Sequence, residues 1–157
     1  MPTAFDFSRL KKFMIITTVI QVFLVALLVY LALHFQAGLA AGGKPEWFIK
    51  GIVIALVVQL ALFYPIRKFA EKEALREIDS SAFGLTPEEL RALRTRRMIS
   101  DVIKMAVLAF FIIFLLAVAK PAMKLIVWPA YLTFILTVLA YFQCFQFAVR
   151  REMRAKS

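Results

Sequence analysis

The stretches FLVALLVYLAL (23–33) and VLAFFIIFLLAVA (107–119) carry no charge and are apolar on every side of a helix. A transmembrane β-strand would alternate apolar and polar residues over about 10 positions, and a soluble amphipathic helix would keep a polar face. Neither pattern is present, so both stretches read as membrane-spanning helices. Each belongs to a longer apolar run, and two more runs share the character: the four occupy 13–35, 48–65, 99–118 and 122–149. A bilayer core takes about 20 apolar residues per helical crossing, so each run suffices. The expected fold is all-α, an integral membrane protein built as a four-transmembrane-helix up-down bundle, with residues 1–157 forming one membrane domain.

Composition agrees with that reading. The chain is 62% hydrophobic with a mean hydropathy of +0.81, well above a soluble domain. Arg9, Lys11 and Lys12, the first apolar run and the small residues Ala37, Gly38, Ala40 and Ala41 imitate a signal peptide. That run is about 23 residues, longer than the 7–15 of a removable signal, so it reads as an uncleaved first span.

Basic residues resist translocation, and their count in short loops sets orientation. Three precede the first span, eight lie between the second and third (Arg67, Lys68, Lys72, Arg76, Arg91, Arg94, Arg96, Arg97), and four follow the last. The other side holds only Lys44, Lys50, Lys120 and Lys124. Both termini are expected in the cytoplasm of a bacterial or archaeal cell, with the protein in its inner membrane. The net charge of +10 then answers to anionic headgroups rather than nucleic acid. Arg91, Arg94, Arg96, Arg97, Arg150 and Arg151 are the candidate lipid contacts. At the opposite side, Tyr30, His34, Trp47, Trp128 and Tyr131 are rings expected at headgroup depth.

Between spans two and three, FAEKEALREID (69–79) is rich in helix formers and mixes both charge signs, so helix two should continue beyond the membrane. Thr86, Pro87 and Glu89 form a helix start with a capping box, placing the origin of helix three well before its span. The two extensions, within 66–97, predict a cytoplasmic antiparallel helical hairpin. Its seam would set Ile66, Phe69, Ala70, Ala74 and Ile78 against Leu90 and Leu93, with Phe83 and Leu85 at the tip. Phe69, Ile78, Phe83, Leu85, Leu90 and Leu93 are the candidate surface for a docking partner.

Within the spans, Gln21, Gln59, Asp101, Lys104, Gln143 and Gln146 all fall within roughly 5–12 Å of the cytoplasmic boundary, counted from the ends of their own runs. Polar groups inside a membrane turn inward or pair. The layer is expected either to bond helices together or to form a polar pocket open to the cytoplasm, with Asp101 and Lys104 its charged members. Asp101 has Arg97 and Lys104 at helical spacing as local partners. Pro129 should bend helix four, with Thr133 and Thr137 near enough to satisfy stray carbonyls. Gly51 and Ala55 form a small-xxx-small pair that admits a close neighbour.

Catalytic motifs are sparse. Cys144 is the only cysteine and His34 the only histidine, so the chain offers no redox pair, thiolate metal cluster or bis-histidine haem site. Walker A, GxSxG and GxGxxG patterns are missing. No cofactor and no metal are expected. Three function classes follow: a non-catalytic subunit, scaffold or assembly partner that associates with itself or another membrane protein; a small oligomeric channel or transporter; and an enzyme of lipid or thiol metabolism. Length and span count match the membrane-associated eicosanoid and glutathione enzymes, but the chain has no asparagine and lacks their clustered Arg, Asn and Glu.

Overall fold

The computed structural model describes residues 7–81, 86–117 and 124–156. They form four helices: α1 (Ser8–Ala41), α2 (Glu46–Asp79), α3 (Pro87–Ala117) and α4 (Lys124–Lys156), with no strand among the described residues. Three segments, Leu10–Ala41, Glu46–Asp79 and Leu125–Lys156, are long and apolar enough to cross a membrane. The chain is therefore an all-helical membrane protein. α3 is helical through most of the third apolar run. The expected hairpin tip with Phe83 and Leu85, and the connection around Pro121, lie outside the described residues, as do the side chains of Leu90 and Arg96.

The helices outrun the apolar stretches that announce them. α1 continues past residue 35 because the single Gly38 sits among the helix formers Ala37, Leu39, Ala40 and Ala41, and it closes in a Schellman arrangement after Ala41. Gly43 takes the left-handed conformation at φ 69°, while Lys44 N–H donates to the Leu39 carbonyl at 3.0 Å and Gly43 N–H to that of Ala40 at 3.0 Å. α2 passes unbroken through Pro65, whose missing N–H leaves the Ala61 carbonyl without its usual partner, and ends only at Asp79. At the start of α3 the Thr86 hydroxyl accepts the Glu89 N–H at 3.3 Å, and the Glu89 carboxylate accepts the Thr86 N–H at 2.9 Å. This backbone donor, joined by the Thr86 hydroxyl, holds the Glu89 carboxyl below the usual carboxylate range.

α2 and α4 form the body of the molecule and run parallel. Gly51 meets Trp128, Gln59 meets Thr137 and Asp79 meets Lys156, so their partners advance together. α1 runs antiparallel to α4, with Phe35 against Trp128 and Thr17 against Gln146. Two apolar clusters result. Away from the termini, Leu39, Ala55, Trp128 and Leu132 are buried together. Trp128 stacks on Phe48 at 5.0 Å and donates its indole N–H to the Phe48 carbonyl at 3.1 Å. It is 1% exposed, so this ring belongs to the core and not to the headgroup-facing set expected from its position in sequence. Near the termini, Leu10, Ala70, Ala74, Ile78, Phe145, Ala148 and Val149 form the second cluster.

That second cluster contains three residues of the expected hairpin seam. Among the described residues, Ala70, Ala74 and Ile78 pack against α1 and α4, because the small residues of α2 let α4 approach closely. Phe69 is largely exposed, with its ring 5.9 Å from Tyr141 of α4. The 66–79 arm does not project with α3 alone. α4 accompanies it to the end, where Lys156 Nζ lies 3.2 Å from Asp79. Among the described residues α3 stands apart, approaching no other helix as closely as α1 approaches α2.

A polar clamp between helices 2 and 3

On α2, residues 70, 73, 74 and 78 follow the i, i+3, i+4 spacing of a buried helix face. Three of them are the apolar Ala70, Ala74 and Ile78. The remaining one is Glu73, buried to 7% exposure, and burial of a carboxylate demands partners. It has three. Ser100 of α3 donates to one oxygen, Tyr141 of α4 donates its hydroxyl to the other, and Lys104 Nζ of α3 lies 2.8 Å from that second oxygen. One carboxylate thus ties α2, α3 and α4 together.

A second bridge lies about one turn further along. Arg97 Nε approaches Glu77 Oε1 at 3.3 Å. Asp101 sits between the two cations at 3.9 Å from Arg97 and 3.7 Å from Lys104, so the local pairing expected from its spacing is present but loose. The shorter bonds of both cations go to α2. Lys104 Nζ also lies 5.6 Å from the centre of the Tyr141 ring, a cation–π approach. Because these side chains are long, they join the helices while leaving a gap between them. The gap is a cleft of about 250 Å³, lined by Glu73, Glu77, Arg94, Arg97, Asp101 and Lys104 together with Ser100, Tyr141 and the apolar Leu93, Phe13 and Phe145.

The other members of the expected polar layer lie elsewhere. The Gln146 amide donates to Thr17 at 2.9 Å and Thr18 at 3.1 Å and lies 3.4 Å from Gln21 Oε1, all across the α1–α4 contact. Gln59 accepts the Thr137 hydroxyl at 3.1 Å between α2 and α4. Gln143 is exposed. The layer therefore separates into three sites rather than one. Its common depth fails because runs two and four end at different levels: Gln59 is level with Thr137, nine residues before Gln146, or about 13 Å along the helix. Thr137 is thereby committed to Gln59. Thr133 donates to the carbonyl of Pro129 at 2.7 Å, not to that of Leu125, which the proline leaves unpaired.

Arg91, Arg94, Arg150 and Arg151 are exposed, and Arg151 lies 3.3 Å from Glu152. Glu73, Ser100 and Tyr141 were absent from the residues singled out by sequence. The available signal was rotational, since Glu73 shares the stripe of Ala70, Ala74 and Ile78. No grouping of His, Cys, Asp and Glu suited to a metal ion occurs among the described residues. Chemically, the clamp is a set of saturated hydrogen bonds and ion pairs suited to holding helices. Comparison with protein-family models, curated proteins and solved structures gives no match.

Proposed function

We propose that the chain is a non-catalytic integral component of the cytoplasmic membrane, a subunit, scaffold or assembly partner that meets another membrane helix through α3. In this reading α3 is the third of four spans, and the basic excess of the loops keeps both termini in the cytoplasm. The observation that carries the reading is the lopsided attachment of α3. Its inner face is held by the Glu73 and Glu77 bridges, while Ile99 and Val107 on another face are exposed. A helix fixed at one end by polar contacts and apolar over its remaining length suits insertion against a neighbour, a second copy or a different protein. Photo-crosslinking groups at Ile99 and Val107 in native membranes should give protein adducts, while the same group at Val22 of α1 should give lipid adducts. Equal patterns from both helices would contradict the assignment.

The cleft supports a second reading, a small oligomeric channel or transporter whose cytoplasm-facing pocket includes Asp101 and Lys104. Ion or solute flux into liposomes that Lys104→Met abolishes would favour it over the first.

A further inference from the structure

Arg94 and Arg97 line two concavities at once. One is the cleft beside α2; the other is a shallow, open groove between side chains of α3 itself, which continues along Met98, Val102, Met105 and Ala109. Residues 94, 98, 102, 105 and 109 recur at three- and four-residue intervals, so they form one stripe, distinct from the face of Ile99, Val107 and Phe110. From Met98 to Ala109 the stripe runs about 16 Å down the helix. It is apolar and exposed, Met105 being 63% accessible, and Ala106 and Ala109 are its small members.

The charges at its head are not balanced internally. Arg97 is engaged by Glu77, and Lys104 by Glu73. Asp101, which borders the groove and would repel an anion, is drawn to those same two cations. Arg94 has no acidic partner within ion-pair distance among the described residues, and neither has Arg76 across the cleft. A guanidinium without a carboxylate, at the end of an apolar furrow, offers paired N–H donors to a phosphate oxygen.

We propose that this groove binds one anionic phospholipid, its phosphate on Arg94 with Arg97 alongside and one acyl chain along Met98, Val102, Met105 and Ala109. The charge pattern fixes the direction: the phosphate lies on the terminus side of Asp101, and the chain passes into the membrane beyond it. The site differs from general attraction of the basic ends to acidic lipid, because it needs both the cation and the furrow. It rests on the reading of α3 as the third span and goes beyond the partner assignment, which concerns a different face.

Native mass spectrometry of the detergent-purified full chain tests the proposal, with phosphatidylglycerol and phosphatidylcholine of identical chains as probes. The first bound lipid should be phosphatidylglycerol by at least threefold. Arg94→Gln should bring that ratio near one, and Ala109→Trp, which fills the furrow without touching charge, should lower occupancy by either lipid. Lys12→Gln, an exposed cation of α1 away from the groove, should leave the preference intact. Equal binding of the two lipids by the unaltered chain would overturn the proposal, as would an unchanged preference in Arg94→Gln or full occupancy in Ala109→Trp. An equal loss in Lys12→Gln would assign the selection to overall charge and overturn the proposal. Complete displacement by millimolar inorganic phosphate would replace the lipid with a free anion.

Discussion

α2 meets α4 and α3 in opposite ways. Against α4 it offers Gly51, Ala55, Ala70 and Ala74, small residues that let backbones close up and side chains such as Trp128 fill the remaining space. Against α3 it offers Glu73 and Glu77, which reach across a gap to Ser100, Lys104 and Arg97. In a bilayer, where lipid is as apolar as the protein, close packing is the continuous force that holds helices, and polar bonds are local additions. The first contact is therefore a seam along the full length of two helices. The second is a clamp that fixes one end of a helix and leaves the other end free of it.

Each contact can be broken separately, beginning with the seam. A side chain at Gly51 would place its Cβ 2.9 Å from the indole nitrogen of Trp128 and closer still to Cδ1. Gly51→Val should destabilise the protein by about 3 kcal/mol, the upper range of overpacking. The detergent concentration at half-unfolding in SDS titration measures it, and no change would mean that α4 does not depend on this approach.

At the clamp, Glu73→Ala strands the Lys104 ammonium and the Tyr141 and Ser100 hydroxyls, at a cost of about 2 kcal/mol. Limited proteolysis should then cut the α2–α3 connection faster while α4 resists as before. Simultaneous loss of protection in α4 would show that clamp and seam are not independent.

The amide contact between α1 and α4 is weaker. Gln146→Leu removes its bonds to Thr17 and Thr18, and bonds between membrane helices average about 0.6 kcal/mol, so the same SDS titration should register only a small shift.

The smallest effect belongs to the start of α3. Thr86→Ala should speed amide exchange in its first turn only. Acid acts in the same sense: the Glu89 carboxyl titrates lower in the folded chain than in the unfolded one, so its contribution is present above the unfolded value and disappears as pH falls through the folded value. Exchange at the first turn of α3 should accelerate over that interval, and insensitivity there would remove the capping box from the account.

Much of this architecture is legible in the sequence, for reasons particular residues make clear. Unbroken apolar runs declare helices, and Gly42, Gly43 and the Thr86–Glu89 box mark where two of them stop and start. Local chemistry sets those boundaries, so local sequence reports them. The identity of neighbours is a different matter. Ala70, Ala74 and Ile78 are readable as a seam, yet nothing local says whether α3 or α4 covers it, because chain order names the next helix and not the best-fitting one. Trp128 was misplaced for a related cause: an aromatic near the end of a run suits the headgroup region equally well until Phe48 and Phe35 enclose it.

Glu73 was hidden by its company. FAEKEALREID has the composition of a solvated helix, and only the phase of position 73 relative to its alanines separates it from Glu71 or Glu77. The polar layer failed on geometry, since depths counted from separate run ends ignored the common level that Gln59–Thr137 and Asp79–Lys156 impose. Asp101 and Lys104 were legible as a pair through their spacing, but their α2 partners required the fold.

The central distinction, seam against clamp, is tested most directly by double electron–electron resonance in lipid nanodiscs, with spin labels on exposed positions of α2 paired once with α3 and once with α4. In the Glu73→Gln, Glu77→Gln double variant, the α2–α3 distance distribution should broaden and shift outward while the α2–α4 distribution stays as in the unaltered chain. An unchanged α2–α3 distance, or equal broadening of both, would contradict the claim that a polar clamp, separate from the packed seam, holds α3.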